Sequence, residues 1–371
     1  MTDTTPFEIF LVATPGLEPA LHAEAVERGL ADARLVEGGV ALTGGWADVW
    51  RANLELRGPT RVLVRIASFR AMHLAQLDKR ARKVPWGEFL RADVPVVVEA
   101  TCRKSKIYHA GAAAQRVATA IREELGAPIR DDADVRVMVR IEDDLATISI
   151  DTSGESLHKR GHKEAVNRAP MRETMASLFL RQCGFRGTEP VLDPMCGSGT
   201  FVIEAAEIAT GLKPGRSRSF AFEQLVGFDA AAWQALKASG AATATDLRFH
   251  GSDRDAGAVG MSRENAERAG VSGITTFTQL DIADLTPPDG PPGLVIINPP
   301  YGTRIGDKSA LQALYAQFGK VMKQRFKGWR VALITTDPGL AKQTGLPLLP
   351  PGPPVLHGGL RVTLWQTGAL R

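Results

Sequence analysis

Cysteine is scarce. Cys102, Cys183 and Cys196 are spread over 371 positions with no CxxC pair, which argues against a disulfide framework or a cysteine-held zinc. No apolar run approaches the ~20 residues that cross a bilayer. The start, Met1 to Phe10, lacks the basic flank and long apolar stretch of an export signal, so a cytoplasmic protein with no membrane partner is expected. There is no GxxxxGK[ST] phosphate loop, no low-complexity tract and no fixed-period repeat. No metal site is expected. What is present, 44% hydrophobic and 23% charged residues, excludes disorder, collagen and coiled coil as the main state. The length suits two or three domains.

Net charge is only +4, but its distribution is uneven. Between Arg57 and Lys106 twelve basic residues meet four acidic ones. That local excess exceeds the whole-chain figure, so the remainder is net acidic. Such asymmetry fits either a polyanion-binding module or a solvated basic face.

Three regions separate by pattern: 1–57, 58–155 and 156–371. The first opens with an apolar strand from Phe7, a helix from Leu17 to Gly29 and a strand near Val40. In the second, Arg61 to Ala67 alternates as a half-buried strand does. Lys79 to Leu90 reads as a helix interrupted by Pro85, Val94 to Ala100 as a strand, Gly111 to Leu125 as a helix, and Arg136 to Ile141 with Thr147 to Asp151 as closing strands. The third region alternates strand and helix over ~200 residues, the signature of a doubly wound, mostly parallel α/β sheet. Its strands are expected at Pro190, Phe249, Thr276, Leu294 and Arg330. The stretch Pro214 to Ala242 is long for one connection and should carry its own helix, Ala230 to Ala238. Trp46, Trp50 and Trp86 read as core.

Four elements carry chemistry. Asp193-Pro-Met195-Cys196-Gly197-Ser198-Gly199-Thr200 follows a strand and opens a helix; two glycines let the backbone turn sharply and approach a ligand. Asp253 ends the next strand, where an acid suits a ribose diol. Asp281 follows the strand after that. A lone Asp there is also a common helix cap or turn residue. Last, Asn298-Pro299-Pro300-Tyr301 closes the apolar strand from Leu294. The prolines fix the backbone, so the Asn298 amide oxygen and the Pro299 carbonyl can hold the two N–H donors of an exocyclic amine, and Tyr301 can stack on the base.

These residues resemble class I S-adenosylmethionine-dependent amino-methyltransferases. More narrowly, Leu157-His-Lys159-Arg160-Gly-His-Lys, Ala169-Pro-Met-Arg172-Glu173-Thr174, Asp193 to Thr200, Ser219 to Glu223, Gly251 to Gly270 and Asn298 to Arg304 resemble the THUMP-containing 23S rRNA guanine-N2 methyltransferases. Ala100 to Gly111 looks like the RNA-binding strand–loop–helix of a THUMP domain. The resemblance implies a Rossmann-like methyltransferase domain preceded by an α+β ferredoxin-like/THUMP RNA-binding region. It implies S-adenosyl-L-methionine as cofactor and structured RNA as partner: 23S rRNA or a large-subunit precursor, with tRNA as alternative and a non-catalytic RNA-binding or ribosome-assembly factor as the reading from a different class. Residues 193–200 would surround the cofactor's amino-acid end, Asp253 its ribose and Asp281 its adenine amine. Arg172, Glu173 and Thr174 would line the cofactor or simply form core. Asn298 to Tyr301 would grip the guanine. Arg103, Lys104, Lys106, His109, Lys159, Arg160 and Arg304 are the RNA-facing candidates. Two departures stand out: His357-Gly-Gly replaces an expected Asn-Gly, and no second methyltransferase module follows, so a single-activity form is expected.

Overall fold

The computed structural model describes residues 6–30, 32–162, 171–240, 242–300 and 308–371. They form two compact units. One takes in the chain up to Ala13, Leu21–Leu157 and Arg218–Ser239; the other takes in Thr14–Ala20, His158–Ser217 and Gly240–Arg371.

The first unit is built from β1 (Phe7–Val12), α1 (Glu18–Glu27) from Leu21 onward, β2 (Arg34–Val36), β3 (Gly39–Gly44), α2 (Trp46–Glu55), β4 (Arg61–Arg70), α3 (Leu74–Ala81), β5 (Val96–Arg103), α4 (Ala110–Leu125), β6 (Val135–Glu142) and β7 (Leu145–Asp151). Its seven strands make one sheet in the order β2-β3-β1-β4-β7-β6-β5. Because β1 pairs with β4 over Glu8–Val12, this sheet runs uninterrupted across residue 57. Helix α4 packs on β5, and α2 on β3 and β4. Part of the sheet surface is an open groove of about 1320 Å³, lined by Phe10, Leu63, Met138, Arg65 and Arg140 among others.

Lys79 to Leu90 is not one helix. α3 starts upstream because His73 caps it, its Nδ1 accepting the Gln76 N–H at 3.2 Å. Beyond Ala81, Pro85 disfavours helical backbone at Val84, and Trp86–Glu88 makes only a single 3-10 turn. The three tryptophans are core: Trp46, Trp50 and Trp86 are all buried.

The remaining elements are α5 (Glu173–Gln182), β8 (Val191–Asp193), α6 (Thr200–Ala209), α7 (Ala230–Ala238), β9 (Phe249–Asp253), α8 (Ala256–Arg268), β10 (Thr275–Gln279), β11 (Leu294–Ile297), α9 (Lys308–Arg325), β12 (Arg330–Thr335), α10 (Pro338–Gln343), β13 (Val355–His357) and β14 (Leu360–Gln366). All but α7 belong to the second unit. Its sheet runs β10-β9-β8-β11-β12-β14-β13. The first five strands are parallel, and the β13–β14 hairpin joins antiparallel. This is the doubly wound arrangement that strand–helix alternation implies. Gly358 and Gly359 both take positive φ, +56° and +83°, as a two-residue type I′ turn requires; the Gly-Gly pair thus makes the turn without an asparagine. The core gathers Leu192, Val295, Ile297, Phe318, Met322, Trp329 and Trp365.

Segment Arg218–Ser239, including α7, clusters with the first unit. There Phe222 lies 6.2 Å from Trp50 and 5.0 Å from Trp233, ring centre to ring centre. The Phe222 N–H bonds the Thr152 carbonyl at 3.0 Å.

Candidate active site

Strand order reverses between β8 and its neighbours β9 and β11. Connections leave in opposite directions there, opening a crevice at the carboxyl ends. The residues 193–200, 253 and 298 all sit at those ends.

The turn after β8 is held from several sides. Asp193 is buried and its Oδ1 accepts the Met195 N–H at 3.0 Å. The Cys196 N–H bonds the Ser252 carbonyl at 3.0 Å and the Gly199 N–H the Cys196 carbonyl at 2.8 Å. Asp253 Oδ2 accepts the Gly197 N–H at 3.0 Å while its Oδ1 accepts from Asp255. Gly197 and Gly199 take φ of +55° and +82°. A Cβ on Gly199 would press on Ser262 Oγ and the Phe277 ring, whereas one on Gly197 would meet nothing within 4 Å. Gly197 therefore presents bare backbone to open space. Ser198 and Thr200 are buried, and Thr200 is the first residue of α6.

Two residues that the sequence reading passed over complete this turn. Ser262 Oγ donates to the Gly197 carbonyl at 2.9 Å and Asn265 Nδ2 to the Ser198 carbonyl at 3.1 Å. Both are fully buried on α8. Their signal was two polar residues three apart on the helix face that otherwise carries Ala258, Val259 and Ala266.

Burial, reinforced by the nearby Asp253 charge and opposed by the Met195 N–H, pushes the Asp193 carboxyl up to about 8. Burial also pushes the Cys196 thiol well above its ordinary value. With its sulfur 3.7 Å from Ser262 Oγ, Cys196 is a packing group rather than a nucleophile. Asp281 is exposed and caps a short 3-10 turn, its Oδ1 accepting the Ala283 N–H at 2.9 Å. A carboxylate has further acceptor sites, so the cap does not exhaust it.

At the end of β11, Asn298 Oδ1 is buried with no hydrogen-bond partner among the described residues. Pro299 is buried and Pro300 half-buried. The Tyr315 hydroxyl, buried on α9, donates to the Pro300 carbonyl at 3.3 Å and lies 3.2 Å from Thr335 Oγ1; sequence alone gave no sign of this support. Thr174 is wholly buried on α5, which packs against α6, and its Oγ1 likewise has no partner among the described residues. Tyr301 and Arg304 lie outside the described residues.

Of the RNA-facing candidates, Arg103, Lys104, Lys106, His109 and Lys159 are exposed. Arg160 is not. It is 1% exposed, and its guanidinium forks onto Glu204 of α6 through Nε at 3.0 Å and Nη2 at 3.4 Å. Beside it, His162 and Arg216 meet Glu207. The expectation of a surface cation at Arg160 is therefore corrected: Glu204, buried in the apolar helix α6, draws it inward.

Residues 160–346 match the family model described as RMKL-like, methyltransferase domain; residues 8–63 match the RlmL ferredoxin-like domain and 71–151 the THUMP domain. The chain belongs to the RMKL-like methyltransferase family. It is 32% identical to protein slr0064 of Synechocystis, provisionally named an RNA methyltransferase, over 98% of both chains. It is 33% identical, over 91% of its length, to the ribosomal RNA large subunit methyltransferase K/L of Psychromonas ingrahamii, and spans about half (47%) of that relative. SMU.472, provisionally named a methyltransferase and crystallised with S-adenosylhomocysteine, superposes with a TM-score of 0.90 at 27% identity over 99% of both chains. This RMKL-like chain is an S-adenosylmethionine-dependent RNA methyltransferase. The bare backbone at Gly197 and the acids ending β8 and β9 fit that cofactor. Among the described residues no His, Cys, Asp and Glu cluster could hold a metal, and no helix is long and apolar enough to cross a membrane.

Proposed function

We propose that the protein methylates the exocyclic N2 amine of a guanine in 23S rRNA. The observation that carries this reading is the buried Asn298 Oδ1 at the switch-point strand, which has no hydrogen-bond partner among the described residues. A buried acceptor without a donor is costly, and an amine N–H is the donor it lacks. The relative named for the ribosomal large subunit supports rRNA as substrate.

S-adenosylmethionine, when bound, supplies an electrophilic methyl group. The turn from Asp193 to Thr200 would hold its amino-acid end, Asp253 the ribose hydroxyls and Asp281 the adenine amine. Asn298 Oδ1 and the Pro299 carbonyl would accept the two N2 hydrogens, steering the nitrogen lone pair. Tyr315 holds the following carbonyl in place, so the strand end is set before the base arrives. Catalysis here rests on positioning; an amine nitrogen becomes acidic only as it gains the methyl, so no general base is assigned.

The test is methyl transfer from labelled cofactor to total RNA of a strain lacking the gene, followed by size separation and nucleoside analysis. N2-methylguanosine in 23S rRNA is the expected result. Label in tRNA moves the substrate to the alternative; label on adenine refutes the guanine assignment.

A further inference from the structure

Tyr108 is 85% exposed, the most exposed large apolar side chain among the described residues. It lies on the loop from the end of β5 to the start of α4, anchored by the buried Ile107 and closed by His109, whose Nδ1 caps α4 by accepting the Ala112 N–H. The loop is held in an uncommon backbone. Lys104 on this loop has φ of +47°, and Asp143 and Asp144, the two-residue turn between β6 and β7, have +49° and +62°; they are the non-glycine residues with positive φ among those described. Side chains bearing Cβ avoid this region, and where they adopt it the surroundings must impose it. Here the two turns lock one another: Ser105 Oγ donates to the Arg103 carbonyl at 2.8 Å and accepts the Asp144 N–H at 3.0 Å, and Asp144 Oδ1 accepts the Lys106 N–H at 2.7 Å. Arg103, Lys104, Lys106 and His109 of the same loop, and Arg70 at the end of β4, are exposed; Glu142, 3.8 Å from Arg103, with Asp143 and Asp144 of the β6–β7 turn, offsets part of that charge.

We propose that Tyr108 is a stacking platform for an unpaired nucleobase of the RNA, while the cations beside it contact flanking phosphates. The proposal rests on RNA being the substrate and adds a base-contacting residue remote in sequence from the methyl-transfer motifs. An exposed ring on a rigid loop gives up little freedom on binding. A ring on a loop that also carries Arg103, Lys104 and Lys106 favours a nucleic acid over an apolar protein face, and bases within a duplex offer no free face, so the partner is a single-stranded loop or bulge.

The test measures binding of the full chain to a fluorescein-labelled RNA hairpin with a single-stranded loop, and to the same hairpin with abasic loop positions. Tyr108→Ala should weaken binding to the first about tenfold, and Tyr108→Phe and Tyr108→Trp should bind like the parent. On the abasic hairpin, parent and Tyr108→Ala should be equal. Tyr108→Ala should keep the salt slope, whereas Lys104→Ala should lower it by about one. A Tyr108→Ala protein that binds the first hairpin like the parent, or loses equally on both, overturns the proposal. So does a parent that methylates RNA but does not bind the hairpin. A parent that neither binds nor methylates RNA overturns the proposed function with it.

Discussion

At the scale of single residues, Asp193 and Asn298 are polar groups whose state depends on what the site holds. An acid whose folded pKa of about 8 lies above its unfolded value of about 3.9 binds its proton more tightly when folded. Its contribution to stability is thus present at low pH and is lost as pH rises through that interval. Asp193→Asn keeps the shape without the charge, so the Tm of the cofactor-free protein should decline less between about pH 5 and 8 in the variant. Identical profiles would refute the assignment. A cation placed beside Asp193 favours its ionised form, so cofactor binding below about pH 8 should release a proton, measurable by calorimetry in buffers of differing ionisation enthalpy. For Asn298, substitution by Ala should lower kcat by roughly 10²-fold or more while RNA affinity, measured separately, stays within about threefold. Equal loss of both would make Asn298 a structural residue.

Among the elements, the strands and helices of the second unit were legible because each has one dominant physical cause. A run as short and apolar as Leu294–Ile297, closed by two prolines, suits a buried strand, and α8 begins at Asp255, whose side chain accepts the Gly257 N–H. The glycine turn and the Asn298-Pro299-Pro300 strand end were legible for a similar reason, since few backbones need those residues. What escaped were side chains whose role depends on distant partners. Ser262 and Asn265 matter because their helix lies beside the turn, and Tyr315 because α9 passes beneath Pro300. Arg160 reads as a surface cation in a basic stretch until Glu204 is seen on the packed face of α6. Breaking a buried ion pair strands one charge, so Arg160→Met should cost about 3 kcal/mol of unfolding free energy. Lys342→Met, at an exposed position of α10, should cost within about 0.5 kcal/mol. Similar values by denaturant titration would argue against a structural Arg160.

For the whole molecule the relevant quantity is summed charge. The local basic excess between Arg57 and Lys106 lies in the first unit, where exposed Arg103, Lys104 and Lys106 can each displace counterions from RNA. Some four phosphate contacts should lower affinity about 10²-fold between ~50 and ~200 mM salt; a flat response in a filter-binding titration refutes the RNA-binding role of this surface. The return of Arg218–Ser239 to the first unit bears on how such a protein can be altered. Trp50 and the Thr152 carbonyl find their partners only after the chain has already laid down β8 and α6. Neither unit is a continuous cassette: a cut after Leu157 would leave an aromatic layer facing water, and one crossover between genes could not carry either half away intact. The carrier of the RNA and the carrier of the methyl donor are in this sense spliced through each other, and must be inherited, expressed and redesigned together.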